Sequence, residues 1–222
     1  PDVLASVGTP GVMALKNATR AIPIVMVASG DAVATGLIAG LAKPGGNITG
    51  STFFGKELML KRLQLLKDAV PGVRRVAVLV NPDNQTTESN VRAIIEAEKP
   101  LNIELLRIDV RRGSDVVPAF QTMRNKKASA VALSEDAVLY GSAKAIADLA
   151  LDQRLPAVGF TDFADNGGLL GYGASFLEMF RRAGYFIDRL LRGEKPANIP
   201  VERPTTFDLV VNLETARALG IK

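Results

Sequence analysis

Arg75-Val76-Ala77-Val78-Leu79-Val80 runs into Asn81-Pro82, and this stretch decides the fold. An unbroken apolar run, rich in β-branched residues and stopped by a turn pair, describes a strand buried on both faces, as in a parallel sheet. A helical pattern over about Thr87–Lys99 and a second strand over Ile103–Ile108 follow. Strand, helix and strand in that order make a βαβ unit with a right-handed crossover.

The same alternation extends outward in both directions. Downstream, the spacing predicts a helix over Val116–Lys126, a strand over Ala130–Leu133, a helix over Gly141–Gln153, and strands over Pro156–Phe160 and Leu169–Tyr172. Ser175 is placed to cap a long helix, Phe176 to Arg192, whose apolar side reads as Leu177, Phe180, Gly184, Ile187 and Leu191, with Gly193 as its stop. An extended Thr206–Val211 and a helix over Leu213–Leu219 close the chain. Upstream lie strands at Val3–Val7, Ile22–Val27 and Asn47–Thr52. They are interleaved with a helix to Ala18 (Thr9 as N-cap, Pro10 in first position), a short helix over Val33–Leu41, and a helix over Glu57–Ala69. On its apolar side this last helix carries Leu58, Leu63, Leu65 and Leu66. The fold class is therefore α/β with mostly parallel sheets.

Composition narrows the chemistry. The 222 residues are 47% hydrophobic and carry a net charge of +4, and they contain no His, Cys or Trp. Without His or Cys there is no Ser-His or Cys-His nucleophile and no zinc site of the usual kind. No cofactor is implied: neither a dinucleotide fingerprint nor a phosphate-binding loop of the Walker type appears. The basic residues are scattered in short pairs such as Arg74-Arg75 and Arg181-Arg182, so a solvated surface is the reading and nucleic acid is not an expected partner. No apolar stretch reaches the roughly 18 residues needed to cross a bilayer as a helix.

In open parallel sheets, ligands bind beyond the carboxyl ends of the strands. The loops at those ends supply the candidate site: Gly8 and Thr9; Ser29, Gly30 and Asp31; Asn81; Ser134, Glu135 and Asp136; Thr161 and Asp162. Tyr172 joins them from the Leu169–Tyr172 strand. Backbone N–H groups after Thr9 suit an anionic group such as a carboxylate. Asp31 suits a ligand amine, and Asn81 can both donate and accept. Phe53, Tyr140, Phe160 and Phe163 are available to stack on a flat ligand. Each residue also has a plainer role: a helix cap for Thr9, Asp31 and the Ser134–Asp136 loop, a turn before Pro82 for Asn81, and core packing for the aromatics.

Leu41-Ala42-Lys43-Pro44-Gly45-Gly46-Asn47-Ile48-Thr49-Gly50 resembles a signature of the periplasmic ABC-transporter substrate-binding family that includes tryptophan- and phenylalanine-binding lipoproteins. Other blocks match in order. They include Ile22-Pro23-Ile24-Val25 before Gly30-Asp31, Lys61-Arg62-Leu63 before Val70-Pro71, and Gly167-Gly168-Leu169 before Tyr172-Gly173 and Phe180-Arg181-Arg182-Ala183. Pro204-Thr205 before Phe207 and Asn212-Leu213 completes the set. Ala32 departs from the pattern, which has Pro after the Asp.

The resemblance implies a two-lobed type-I periplasmic-binding-protein fold closing on a small ligand in an interlobe cleft. Lobe one would comprise 1–53 and 166–198, lobe two 54–165, with 199–222 forming a third crossing and a terminal strand and helix of open assignment. Crossings are expected near Thr49–Phe53, Asp165–Leu170 and Ile199–Thr206. Because relatives resemble the chain only after an export signal and two further strand–helix units, lobe one is expected to lack its N-terminal part, with self-association through it as one consequence. A periplasmic or extracytoplasmic location, a lipoprotein anchor ahead of Pro1, an ABC permease as partner and an amino acid as favoured ligand are implied as well, and no catalysis. An effector-binding regulatory domain of the same fold and a carboxylate-based α/β enzyme using Asp31, Glu135 and Asp162 are the competing functions.

Overall fold

The computed structural model describes residues 1–221. In chain order its elements begin β1 (Leu4–Val7), α1 (Thr9–Ala18), β2 (Ile24–Gly30), β3 (Ile48–Phe53), α2 (Gly55–Ala69) and β4 (Arg75–Val80). Next come α3 (Thr87–Ile95), α4 (Glu98–Leu101), β5 (Glu104–Asp109), α5 (Val116–Asn125), β6 (Ala130–Leu133), α6 (Ala137–Gly141) and α7 (Ala143–Asp152). The last are β7 (Ala157–Gly159), β8 (Leu170–Ala174), α8 (Phe176–Leu191), β9 (Phe207–Val211) and α9 (Leu213–Leu219). They form two compact units, one of Pro1–Phe54 with Ala174–Phe207, the other of Gly55–Gly173 with the chain from Asp208 onward. The chain thus passes between units a few residues later than the sequence suggests. Residues 166–173 sit with the second unit because β8 pairs with β7, and the terminal strand and helix belong there too.

The first unit is built on a parallel sheet in the order β1-β2-β3. Its central strand, β2, is buried throughout and divides two cores by strand alternation. Ile24 and Met26 face Val12, Leu37, Ile38 and Ile48 on one side; Val25 and Val27 face Ala183, Phe186, Leu190 and Ile199 on the other. Phe186 is fully buried, a contribution of about 1.5–3 kcal/mol for a side chain of its class. On its free edge β3 takes up the backbone of Glu202, with Thr52 N–H donating to Glu202 O at 2.9 Å and Glu202 N–H to Gly50 O at 2.9 Å. At Gly50, φ is +127°, and a Cβ would lie 2.2 Å from Met26 O, so the β2–β3 approach requires glycine.

Two sequence expectations fail here for identifiable reasons. Residues 33–41 form successive turns rather than a helix: Asp31 O accepts from Thr35 N–H, Val33 O accepts from Gly36 N–H, and Gly36 has φ +70°. On α8 the buried stripe is Met179, Ala183, Phe186 and Leu190. Leu177, Phe180 and Leu191, on the neighbouring stripe, are exposed. The helix carries two apolar stripes, and periodicity alone does not say which one meets the sheet.

The second unit carries a sheet ordered β5-β4-β6-β7-β8-β9, parallel from β5 through β8. β4, the strand that decides the fold class, lies inside it with Val76, Val78 and Val80 packed with Met59, Leu63 and Leu66 of α2. Ala77 and Leu79 point the other way, into a core with Phe120, Met123, Ile146 and Ala150 of α5 and α7. The predicted helix over Thr87–Lys99 divides into α3 and α4, whereas that over Gly141–Gln153 corresponds to α7, with the short α6 as an additional helix ahead of it. No helix among the described residues is long and apolar enough to cross a membrane.

Candidate functional site

In the first unit, the ends of β1, β2 and β3 bring Gly8, Thr9, Ser29, Gly30 and Asp31 together. Thr9 is not the N-cap of α1. Gly8 occupies that place with φ 79°, which puts Thr9 at the first helical position and Pro10 next to it. The Thr9 hydroxyl is therefore free to bond across the strands: it accepts from Gly30 N–H at 3.1 Å and shares a hydrogen bond with the Ser29 hydroxyl at 3.2 Å. Thr52, on β3, ties the same loop by donating to Ser29 O and accepting from Ala32 N–H, both at 3.1 Å. Asp31 holds the turn that follows, its Oδ1 accepting from Ala34 N–H at 3.0 Å. The edge is polar and hydrogen-bonded, and Asp31 beside it is half-buried.

In the second unit, the strand ends hold two buried polar networks. The first is centred on Arg62. Leu58, Arg62 and Leu66 repeat at i, i+4 and i+8, so the arginine lies in the buried stripe of α2 and is wholly inaccessible. A buried cation needs complete compensation. Nε donates to Tyr172 O at 2.7 Å, Nη1 to Leu133 O at 3.1 Å, and Nη2 forms an ion pair with Glu135. The other Glu135 oxygen accepts from the Tyr140 hydroxyl at 2.9 Å. Burial, with the Glu135 charge beside it, holds the Tyr140 phenol far above its ordinary pKa, so it stays a neutral donor. Its ring stacks on Phe160 with centroids 3.5 Å apart, and Phe160 meets Phe163 edge-on. Phe160 and Phe163 are both buried and are used in this packing.

The second network centres on Asp136. It caps α6 through Val138 N–H at 2.8 Å and accepts from the side-chain amides of Asn81 at 3.1 Å and Asn84 at 3.0 Å. Asn81 in turn accepts from Asp83 N–H at 3.0 Å, which is the turn role its position before Pro82 suggests. Ser134 is buried and its N–H extends the β6 ladder to Leu79 O at 3.1 Å. Asp162 is exposed and Tyr172 half-buried. The Thr161 hydroxyl, between Phe160 and Asp162, is buried with no hydrogen-bond partner among the described residues.

Of the predicted residues, Thr9, Ser29 and Gly30 are bonded to one another in the first unit, and Asn81, Glu135 and Asp136 enter the two networks of the second, while the Asp162 side chain stands exposed outside both. Sequence reading missed Thr52, Asn84 and above all Arg62. The signal for Arg62 was present in its spacing from Leu58 and Leu66, since a basic residue in an apolar stripe must be explained by a buried partner.

The chain is thus a two-unit α/β protein whose sheets are mostly parallel and carry polar residues at their carboxyl ends. The chain matches the family model described as ABC transporter substrate binding protein over residues 1–222, and it belongs to that family. It is 25% identical over 222 residues to a tyrosine-binding protein of Clostridioides difficile (strain R20291), spanning all of this chain but only 64% of that relative's length. A Streptococcus pneumoniae ABC domain solved in complex with L-Trp superposes with a TM-score of 0.89 at 22% identity, over 100% of this chain and 76% of that one. A conserved domain protein from Vibrio cholerae gives 0.91 at 27% identity, over 100% and 74%.

Proposed function

We propose that this chain is the solute-capturing part of an extracytoplasmic receptor that hands a small polar molecule, an L-amino acid, to an ABC permease, without chemical conversion. The observation that carries the reading is the set of fixed polar groups at the carboxyl ends of both parallel sheets. A receptor must replace the hydration of its ligand's polar atoms with groups already held in place, because an unpaired buried group costs about 1–3 kcal/mol. Thr9, Ser29 and Thr52 in one unit, and Arg62, Glu135, Tyr140, Asn81, Asn84 and Asp136 in the other, are held by buried hydrogen bonds of this kind. The amino-acid class is favoured by the relatives, one named for tyrosine and one solved with L-Trp. Asp31 and Asp162 are the carboxylates left accessible enough to meet an ammonium group. A thermal-shift screen against L-amino acids, sugars and nucleosides tests it. A rise in melting temperature confined to amino acids is expected, and a rise confined to sugars or nucleosides would overturn the ligand class.

A further inference from the structure

We propose that the first unit holds a second binding site, for a small oxyanion (a carboxylate or phosphate group), in a cavity between α8 and the segment 202–206. The cavity has a volume of about 520 Å³ and is walled by Ser51, Ser175, Glu178, Arg182 and residues 202–206. All of these belong to the first unit, and none is among the strand-end groups assigned to the solute above. The space is many times the roughly 30 Å³ share of one water molecule.

The acceptors of this cavity are engaged and its donors are not. Both Glu202 oxygens accept from Arg182, from Nε at 2.8 Å and from Nη2 at 2.5 Å, and Arg182 is itself held over the Tyr185 ring at 4.0 Å. Glu178 is ion-paired with Arg181. Each carboxylate of the lining thus has an arginine of its own, and Arg203 is the charge left over. Its guanidinium lies over the Phe54 ring at 3.9 Å, and among the described residues it meets no carboxylate. Strand alternation turns Ser51 away from Thr52 and toward the cavity. Ser51 is only 4% exposed, yet among the described residues its hydroxyl makes no hydrogen bond. Buried hydroxyls ordinarily have a partner, so this one points to an occupant. Ser175 does not cap α8, which leaves its hydroxyl uncommitted at the positive end of a 16-residue helix dipole. The cavity therefore lacks an acceptor and one negative charge. An oxyanion supplies both and makes charge-assisted bonds to hydroxyl and guanidinium donors. Ser175 and Thr206 lie within two residues of points where the chain passes to the second unit, so the occupant would tie together the first-unit ends of two passages.

The test is calorimetric titration of the full chain with sodium phosphate, citrate and acetate, at an ionic strength fixed with sodium chloride, and with glucose as an uncharged control. Saturable binding of at least one oxyanion, at one per chain, is expected. Ser51→Ala should weaken it about 10-fold or more, the loss of one hydrogen bond to a charged group, and Arg203→Gln by at least as much. Both variants should keep the parent's circular dichroism spectrum, and Arg203→Lys, which retains the charge, should bind better than Arg203→Gln. Amide exchange at Arg203, Thr205 and Thr206 should slow when the oxyanion is bound. No saturation by any of the three oxyanions, an affinity unchanged in either Ser51→Ala or Arg203→Gln, or a glucose response that Ser51→Ala removes would overturn the site. Binding of L-amino acids, measured on the same samples, should match the parent in both variants, so the failure of either reading leaves the other standing.

Discussion

Arg62 and Glu135, 73 positions apart in sequence, form an ion pair in which the arginine side chain has no exposure and the glutamate side chain 8%. The pair joins α2 to the end of β6 and fixes the loop that carries Ser134 and Asp136. Removing one partner of such a pair leaves a buried charge uncompensated, which costs about 3–5 kcal/mol. Arg62→Ala should therefore show a large fall in denaturation midpoint in chemical unfolding. A loss below about 1 kcal/mol, the size typical of a surface pair, would contradict the burial described here.

Tyr140 makes stability pH-dependent on the alkaline side. Its folded pKa is raised above the ordinary 10.0, first by burial and then by the Glu135 charge. Above the unfolded value the unfolded chain releases a proton that the folded chain keeps, so stability falls as pH rises, by about 1.4 kcal/mol per pH unit for one proton. Between pH 10 and 12, Tyr140→Phe should lose that much less per unit than the parent (about 1.4 kcal/mol). Identical slopes in urea melts across this range would show that Tyr140 ionises freely.

Asp136 serves three donors, the Asn81 and Asn84 amides and the Val138 N–H. Asp136→Ala removes the shared acceptor, leaving the Asn84 amide only a long contact to Glu135 O at 3.5 Å, and should destabilise by about 2–4 kcal/mol, two or more times a typical single cap loss. Asp136→Asn, which keeps one acceptor, should recover part of this. Equal effects of the two substitutions would mean that the network contributes little.

Gly50 packs directly against the Met26 backbone of β2, and its φ of +127° is a conformation side chains rarely adopt. Gly50→Ala should disrupt the three-stranded sheet, seen as loss of amide-exchange protection over β1 to β3 with protection retained in β4 to β8. Native protection throughout would contradict the geometry.

How much of this was legible in the sequence depended on the kind of signal. An apolar run gave β6 to the residue, because burial on both faces leaves one pattern only, and the stop at Gly220 gave the end of α9. The helix expected over Val33–Leu41 failed because Thr35, Gly36 and the following turns compete locally with the helix ladder. Thr9 looked like a cap and is one position too late; its hydroxyl works across strands, a long-range contact that no local rule reports. The candidate loops were read from strand ends and do gather there, but the partners that hold them were not visible. Arg62 is identical in type to surface arginines, and an orphaned hydroxyl such as Thr161 exists only once neighbours are known.

The most direct measurement of the central claim is isothermal titration of the chain with L-tryptophan and L-tyrosine, followed by chromatography of the recovered ligand. Saturable binding at one molecule per chain, with the amino acid recovered unchanged, is the result expected of a solute receptor. Absence of binding by these and every other proteinogenic L-amino acid, or conversion of the ligand to a product, would contradict it.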